Sequence, residues 1–279
     1  MDVMVVTSVE KYTDRVEELL LKNEACNNLM LGILDRLVDG EQAYKGGYYL
    51  GLVVKDEKAV YAFMQTPPNN WIFADVDGLD SKIMEGVAEF LYKSNLEVPG
   101  VLGPNRMVEI FINKWNQVAR LKMRQLIYQV DQVNELPTVD GYLAHATDED
   151  HSLVKKWLIQ FGIEANEHIS ETHADQTAGV FIENQSLYLW MANDMPVSMV
   201  NRSRKTKNGV AINAVFTPDE YKGNGYATTA VAKLTENLLD EGFQFCSLYT
   251  DIANPTSNSI YKKIGYYVVG SSVVYEFKK

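Results

Sequence analysis

Val215-Phe216-Thr217-Pro218-Asp219-Glu220-Tyr221-Lys222-Gly223-Asn224-Gly225-Tyr226-Ala227-Thr228 is the stretch on which the fold of this chain is decided. The β-branched and aromatic run ending at Phe216 predicts a strand over 209–216. Thr217-Pro218 turns the chain, and a glycine-rich loop opens directly into an amphipathic helix predicted over 226–240. Gly223 and Gly225 can take backbone angles closed to other residues and let a ligand approach the main chain. The first N–H groups of the helix have no intrahelical partner, and its dipole adds about half a positive charge there. A phosphate is the natural occupant. Lys222 adds a full positive charge beside the loop.

Three phosphate-binding patterns compete for this segment. The P-loop requires Gly, four residues, then Gly-Lys-Ser/Thr. Here the lysine precedes the glycines, so that pattern fails. The dinucleotide fingerprint requires its glycines directly after the strand, and Gly or Ala at a fixed later offset. Residues 217–222 intervene, and Thr228 holds that offset. The third pattern fits: Lys222-Gly223-Asn224-Gly225-Tyr226-Ala227 resembles the pyrophosphate loop of the GNAT N-acetyltransferases, Arg/Gln-x-x-Gly-x-Gly/Ala, with Lys in place of Arg.

A second segment strengthens the resemblance. Leu248-Tyr249-Thr250-Asp251 ends a predicted strand, and Asn254-Pro255-Thr256-Ser257-Asn258-Ser259-Ile260-Tyr261-Lys262-Lys263-Ile264-Gly265-Tyr266 follows. This resembles the second GNAT motif, in which an Asn after the fifth strand precedes a helix carrying Tyr and then Gly-aromatic. The resemblance is strong over 186–278 and weaker over 140–185. It implies a mixed α/β sheet flanked by helices and an acetyl-CoA site. The pyrophosphate would lie on the amides of Gly223, Asn224, Gly225, Tyr226, Ala227 and Thr228, with Lys222 beside them. The pantetheine would pair with the strand edge at Val215, Phe216 and Thr217. Asn254, with Asn258, would hold the arm, and the Tyr261 hydroxyl would lie near the thioester sulfur as the catalytic group. The implied activity is transfer of acetyl to a primary amine by direct attack in a ternary complex, with no covalent enzyme intermediate. A non-catalytic acyl-CoA sensor or interaction module is the alternative, since it would keep the loop and need no acceptor cleft.

Working outward, the second half reads as strand 142–146, a helix ending near 161, helix 172–183, strands 187–192, 197–201 and 209–216, helix 226–240, strand 245–250, helix 258–264 and strand 267–277. The first half repeats that order. A short strand and helix fill the first 20 residues, then come helix 27–38, strands 48–54, 59–65 and 71–76, helix 83–91, strand 98–102, helix 108–115 and strand 124–130. Between them, residues 134–141 are polar with a Pro and a Gly, the composition of a linker. The expected organisation is two tandem GNAT-like domains: 1–133, a linker at 134–141, and 142–279 carrying the cofactor site. The first domain reads as degenerate. Asp77 and Asp80 stand where phosphates would sit, and Ile110 takes the place that Tyr261 holds in the second.

Composition excludes other classes. With 26 Lys+Arg against 37 Asp+Glu, the 279-residue chain carries a formal net charge of −11, the wrong sign for sequence-independent nucleic-acid binding. No apolar run is long enough to span a bilayer, and the first residues lack the basic region of a signal peptide, so a cytoplasmic location is expected. Cys26 and Cys246 stand far apart, which excludes a disulfide framework. His168 and His173 are five residues apart, a spacing that does not share one helix face, so no metal is expected. Arg202, Arg204, Lys205 and Lys207 read as a solvated basic turn, with recognition of an acidic acceptor or of the cofactor's 3′-phosphate as the sharper reading. The acceptor amine that the resemblance implies would be carried by a small molecule or a peptide. Its general base is not identifiable from the residues; Asp251, Glu164 and His145 are the candidates.

Overall fold

The structure, a computed structural model, describes residues 1–40, 46–137, 139–165 and 167–278. The chain divides into two compact units, Met1–Ile127 with Val268–Lys279, and Tyr128–Tyr267. The expected boundaries differ from this division. Val268–Lys279 belongs to the first unit, and the stretch read as a linker lies inside the second, with residue 138 outside the described residues.

The first unit contains β1 (Asp2–Val6), α1 (Val9–Leu21), α2 (Asn28–Val38), β2 (Tyr49–Lys55), β3 (Lys58–Gln65), β4 (Trp71–Phe73), α3 (Ser81–Lys93), β5 (Gly100–Gly103), α4 (Asn105–Trp115) and most of β6 (Ala119–Val130). β1, β2, β3 and β4 pair antiparallel in sequence order, and β4 pairs parallel with β5. Burial follows the period of each element: Tyr12, Val16 and Leu20 line the inner face of α1 at helical spacing.

The strand expected over 71–76 stops at Phe73, and a side chain explains it. The Asn27 carboxamide accepts from the Asp75 N–H at 2.7 Å and donates to the Asp75 carbonyl at 2.9 Å. Those main-chain groups are thereby satisfied outside any ladder. The last strand of the chain, β12 (Tyr267–Phe277), pairs antiparallel with β5 from Val273↔Gly103 to Glu276↔Gly100. Its Phe277 ring packs 5.8 Å from Trp115 and 6.4 Å from Phe111. Those contacts place the C-terminal residues in the first unit's core.

The second unit begins with β7 (Tyr142–His145) and a 3-10 turn at Asp148–Asp150. Thr147 caps that turn through the Asp150 carboxylate, which accepts from the Thr147 N–H at 2.9 Å. Then come α5 (His151–Glu164), α6 (Glu171–Glu183), β8 (Leu187–Ala192), β9 (Met195–Lys205), β10 (Gly209–Phe216), α7 (Tyr226–Asp240), β11 (Phe245–Asp251) and α8 (Pro255–Ile264). Asn193 and Asp194 both take left-handed backbone angles, the geometry of the tight hairpin expected between β8 and β9. β7, β8, β9 and β10 pair antiparallel in order, while β11 pairs parallel with β10. α5 and α6 pack Val154, Trp157, Ala174 and Ala178 against Leu187, Leu189, Met199 and Phe216. α7 buries Val231, Leu234 and Leu238. Asn134 anchors the stretch after β6, its N–H donating to the Ile264 carbonyl at 2.8 Å.

Both thiols are held neutral by their surroundings. Burial pushes Cys246 up to about 12, and burial with the nearby Asp75 carboxylate pushes Cys26 up to about 12. Since the thiolate is the reactive form, the folded chain should resist a thiol-specific reagent at about pH 8. Two thiols per chain should react once it is unfolded in urea. Rapid labelling of either cysteine in the folded state would contradict this burial.

Candidate functional site

The site grows from the place where two strands part. The parallel ladder between β10 and β11 runs through Gly209↔Phe245, Val210↔Cys246 and Ala211↔Ser247, and stops. Beyond it, residues 212–216 face β11 without a partner strand in that ladder, and a cleft opens. On the other side β10 remains paired with β9 but slips. Between Asn213↔Asn201 and Phe216↔Met199, β10 advances three residues while β9 advances two, so β10 carries a bulge. Ala214 absorbs it with a φ of 48°. A left-handed alanine is disfavoured by about 1–2 kcal/mol, and packing in the core holds it there.

A buried hydroxyl takes over where this ladder ends. Ser198 on β9 is fully buried; its Oγ lies 3.0 Å from the Phe216 carbonyl, to which it donates, and 2.8 Å from Thr217 Oγ1. This contact fixes the end of β10 where Val215, Phe216 and Thr217 form one wall of the cleft.

The glycine-rich loop forms the next wall. A 3-10 turn at Asp219–Tyr221 precedes it. Gly223 and Gly225 both take φ of 83°, and Gly225 is the N-cap of α7, with no side chain bonded across the helix start. Thr229 N–H returns to the Gly225 carbonyl at 3.0 Å, while the N–H groups of residues 223–228 make no backbone hydrogen bond among the described residues. These donors and the helix dipole point to one place. Asn224 uses its side chain to close the loop, donating to the Tyr221 carbonyl at 3.0 Å, and does not itself line the cleft.

Helix α8 supplies the third wall. Asn254 caps it, accepting from the Ser257 N–H at 3.0 Å, and lines the cleft. Tyr261 lines the cleft too, its ring 6.2 Å from Tyr128 and 6.0 Å from Tyr266. Burial holds the Tyr261 phenol well above its ordinary range, so it is a neutral O–H donor at neutral pH. Tyr266 in turn shares a buried 2.8 Å hydrogen bond with Thr235 of α7. The cleft encloses about 470 Å³.

Of the residues expected at the site, all but Asn224 and Asn258 line this one cleft. Asn258 does not line the cleft. Its carboxamide donates to the carbonyls of Asp251 at 2.9 Å and Asn254 at 2.6 Å and accepts from the Tyr128 hydroxyl at 3.0 Å. It shapes the turn that presents Asn254 and spends both of its N–H donors on those carbonyls. Lys222 lines the cleft, but its charge is already matched: Nζ lies 2.6 Å from Glu164 and 2.7 Å from Asp219, hydrogen bonds that raise its pKa.

Further lining residues come from Glu164, Tyr221, Thr256, Ser257, Ile260 and Lys263. Helical spacing back from Tyr261 and forward from Thr256 would have found Ser257, Ile260 and Lys263. Of the candidate bases, only Glu164 reaches the cleft; Asp251 accepts from the Ala253 N–H, and the His145 ring packs 4.3 Å from Tyr188. The basic turn is engaged locally, with Arg202 3.6 Å from Glu241 and Lys205 over the Phe243 ring. Among the described residues, no group of three His, Cys, Asp or Glu is placed to hold a metal, and no helix is long and apolar enough to cross a membrane.

Comparisons with known proteins agree with this geometry. Residues 193–274 match the family model described as FR47-like protein. No curated protein sequence matches the chain. Solved structures share the fold over nearly the whole length. A GNAT-family acetyltransferase from Colwellia psychrerythraea is 14% identical with a TM-score of 0.62, covering 100% of both chains. A GCN5-related N-acetyltransferase from Sphaerobacter thermophilus is 10% identical with a TM-score of 0.61, covering 98% of this chain and 94% of that one. A tandem GNAT protein from the clavulanic acid biosynthesis pathway is 12% identical with a TM-score of 0.59, covering 98% of each.

The Ser198 contact is testable by itself. Ser198→Ala strands a buried carbonyl and hydroxyl, and should cost about 1–3 kcal/mol of stability in urea unfolding. Adding Thr217→Val should cost less than the two single losses combined, by at least about 0.5 kcal/mol. Strict additivity would show that the two hydroxyls do not act together.

Proposed function

We propose that this chain, which has the GNAT fold in a two-domain arrangement and resembles the acetyltransferases of that superfamily, is an acetyl-CoA-dependent N-acyltransferase whose single cofactor site lies in the second unit. One observation carries this reading. The cleft opened by the parting of β10 and β11 is bounded in one place by the uncapped amides of the α7 start and by the buried Tyr261 hydroxyl. A long ligand with a diphosphate at one end and a thioester at the other satisfies both.

In this reading the diphosphate takes the N–H groups of residues 223–228, where the donors are preorganised and the dipole is favourable. The pantetheine amides pair with the free edge of β10 at Val215–Thr217. The acceptor amine's lone pair forms the N–C bond at the thioester carbonyl, and the C–S pair leaves with sulfur. The amine loses one proton and the thiolate gains one, so amide and thiol are the products. A main-chain N–H near Val215 meets the oxyanion; one such donor is typically worth about 3 kcal/mol. Because burial raises the Tyr261 phenol, a hydrogen bond to the departing thiolate is favoured over complete proton transfer.

The first unit lacks these features. Its corresponding helix, α3, is capped by its own carboxylate, Asp80 accepting from the Lys82 N–H at 3.0 Å. An anion at that helix start would meet a negative charge. Calorimetric titration should therefore give one acetyl-CoA per chain. Gly225→Asp should abolish binding, since a carboxylate would sit at the cradle and the residue's φ of 83° suits glycine. Two sites per chain, or a Gly225→Asp protein that binds as tightly as the parent, would overturn the assignment.

Tyr261→Phe separates catalysis from binding. Negative charge reaches sulfur only as the C–S bond breaks, so the hydroxyl should matter to the rate and little to ground-state affinity. Turnover on a panel of primary amines should fall at least about tenfold, with CoA affinity changed less than about threefold. Unchanged turnover would make Tyr261 a packing residue. No turnover by the parent chain with any amine, alongside intact CoA binding, would favour a sensor over an enzyme.

A further inference from the structure

Lys222 is the one loop side chain expected to greet an anion, and the structure gives its charge to two carboxylates. Glu164 Oε1 lies 2.6 Å from Nζ and Asp219 Oδ1 lies 2.7 Å away. Asp219 is three residues off in sequence, is 88% exposed and is not part of the cleft wall. Glu164 is the last residue of α5, is 47% exposed and lines the cleft beside Lys222. Ion pairs this exposed add little to folding. Their effect on an arriving anion is larger. The ammonium that would meet an anion beside the amide cradle is already bonded twice.

We infer that Glu164 is an affinity-limiting residue of the cofactor cleft. Its carboxylate holds Lys222 in an internal ion pair that a diphosphate must disrupt, so CoA binds more weakly than the loop alone would allow. This rests on the reading of the cleft as a CoA site. The consequence is kinetic as well as thermodynamic: a product held less tightly leaves sooner, and product release limits turnover in many enzymes. Glu164 thus ties the last turn of α5 to the occupancy of the loop.

Glu164→Gln keeps the shape of the side chain and removes its charge. Titrated with CoA at about 0.05 M salt, this variant should bind about three- to tenfold tighter than the parent. The gain should shrink at about 1 M salt, where the Debye length falls to about 3 Å. It should vanish when both proteins also carry Lys222→Met, because no ammonium is then left to release. Binding that is unchanged or weaker in Glu164→Gln overturns the inference. So does a gain that persists without Lys222, which would mean direct repulsion instead of sequestration. A parent chain that is folded yet binds no CoA sinks the underlying cofactor reading, a result distinct from a parent that binds and a variant that does not differ.

Discussion

Every feature of the cleft depends on one interrupted hydrogen-bond ladder. A parallel pair of strands satisfies its main chain rung by rung, and buried N–H and C=O groups left without partners are costly. Here β10 and β11 part after Ala211↔Ser247. The bulge at Ala214 lies on the freed arm of β10, and Ser198 of β9 holds the Phe216 carbonyl from a side chain where the pairing with β9 ends. The edge beyond Ala211 is therefore held firmly from one side and open from the other. Such an edge can accept an extended, amide-bearing ligand as an additional strand.

The two units show how the same element order can lead to different helix starts. In each, a strand leads through a loop into a helix whose first amides lack intrahelical partners. In the second unit the cap is Gly225, which brings no side chain and leaves those amides facing outward. In the first the cap is Asp80, whose carboxylate occupies that place itself. The strand before α3 is also cut short by Asn27, and the Phe73 and Phe111 rings pack 5.0 Å apart in its core. One glycine exchanged for one aspartate accounts for much of the difference, because a helix start can serve either its own cap or a ligand.

The net charge of −11 does not conflict with an anion site. In the proposed reading, affinity for a diphosphate would arise from main-chain N–H groups and a helix dipole, which act over the first turn. Side-chain charge contributes less than the sequence suggests, since Lys222 is already paired with Glu164 and Asp219. The surface can remain acidic while the cradle stays electropositive at short range.

The order of the elements, the hairpin at Asn193-Asp194, the Gly223–Gly225 loop opening α7 and the placing of Tyr261 on α8 are legible in the residues, because each rests on local chemistry. Backbone angles open chiefly to glycine, the 3.6-residue period and the capping residues act within a few positions of one another. What depends on residues far apart in the chain emerges only once the chain is folded. Val268–Lys279 joins the first unit because its pairing partner is β5, more than half the chain away. Asn258 serves the turn because Tyr128 meets it, and Lys222 is neutralised because α5 ends at Glu164. Residue type and spacing announce what a side chain can bond to, and the fold settles which partner reaches it first.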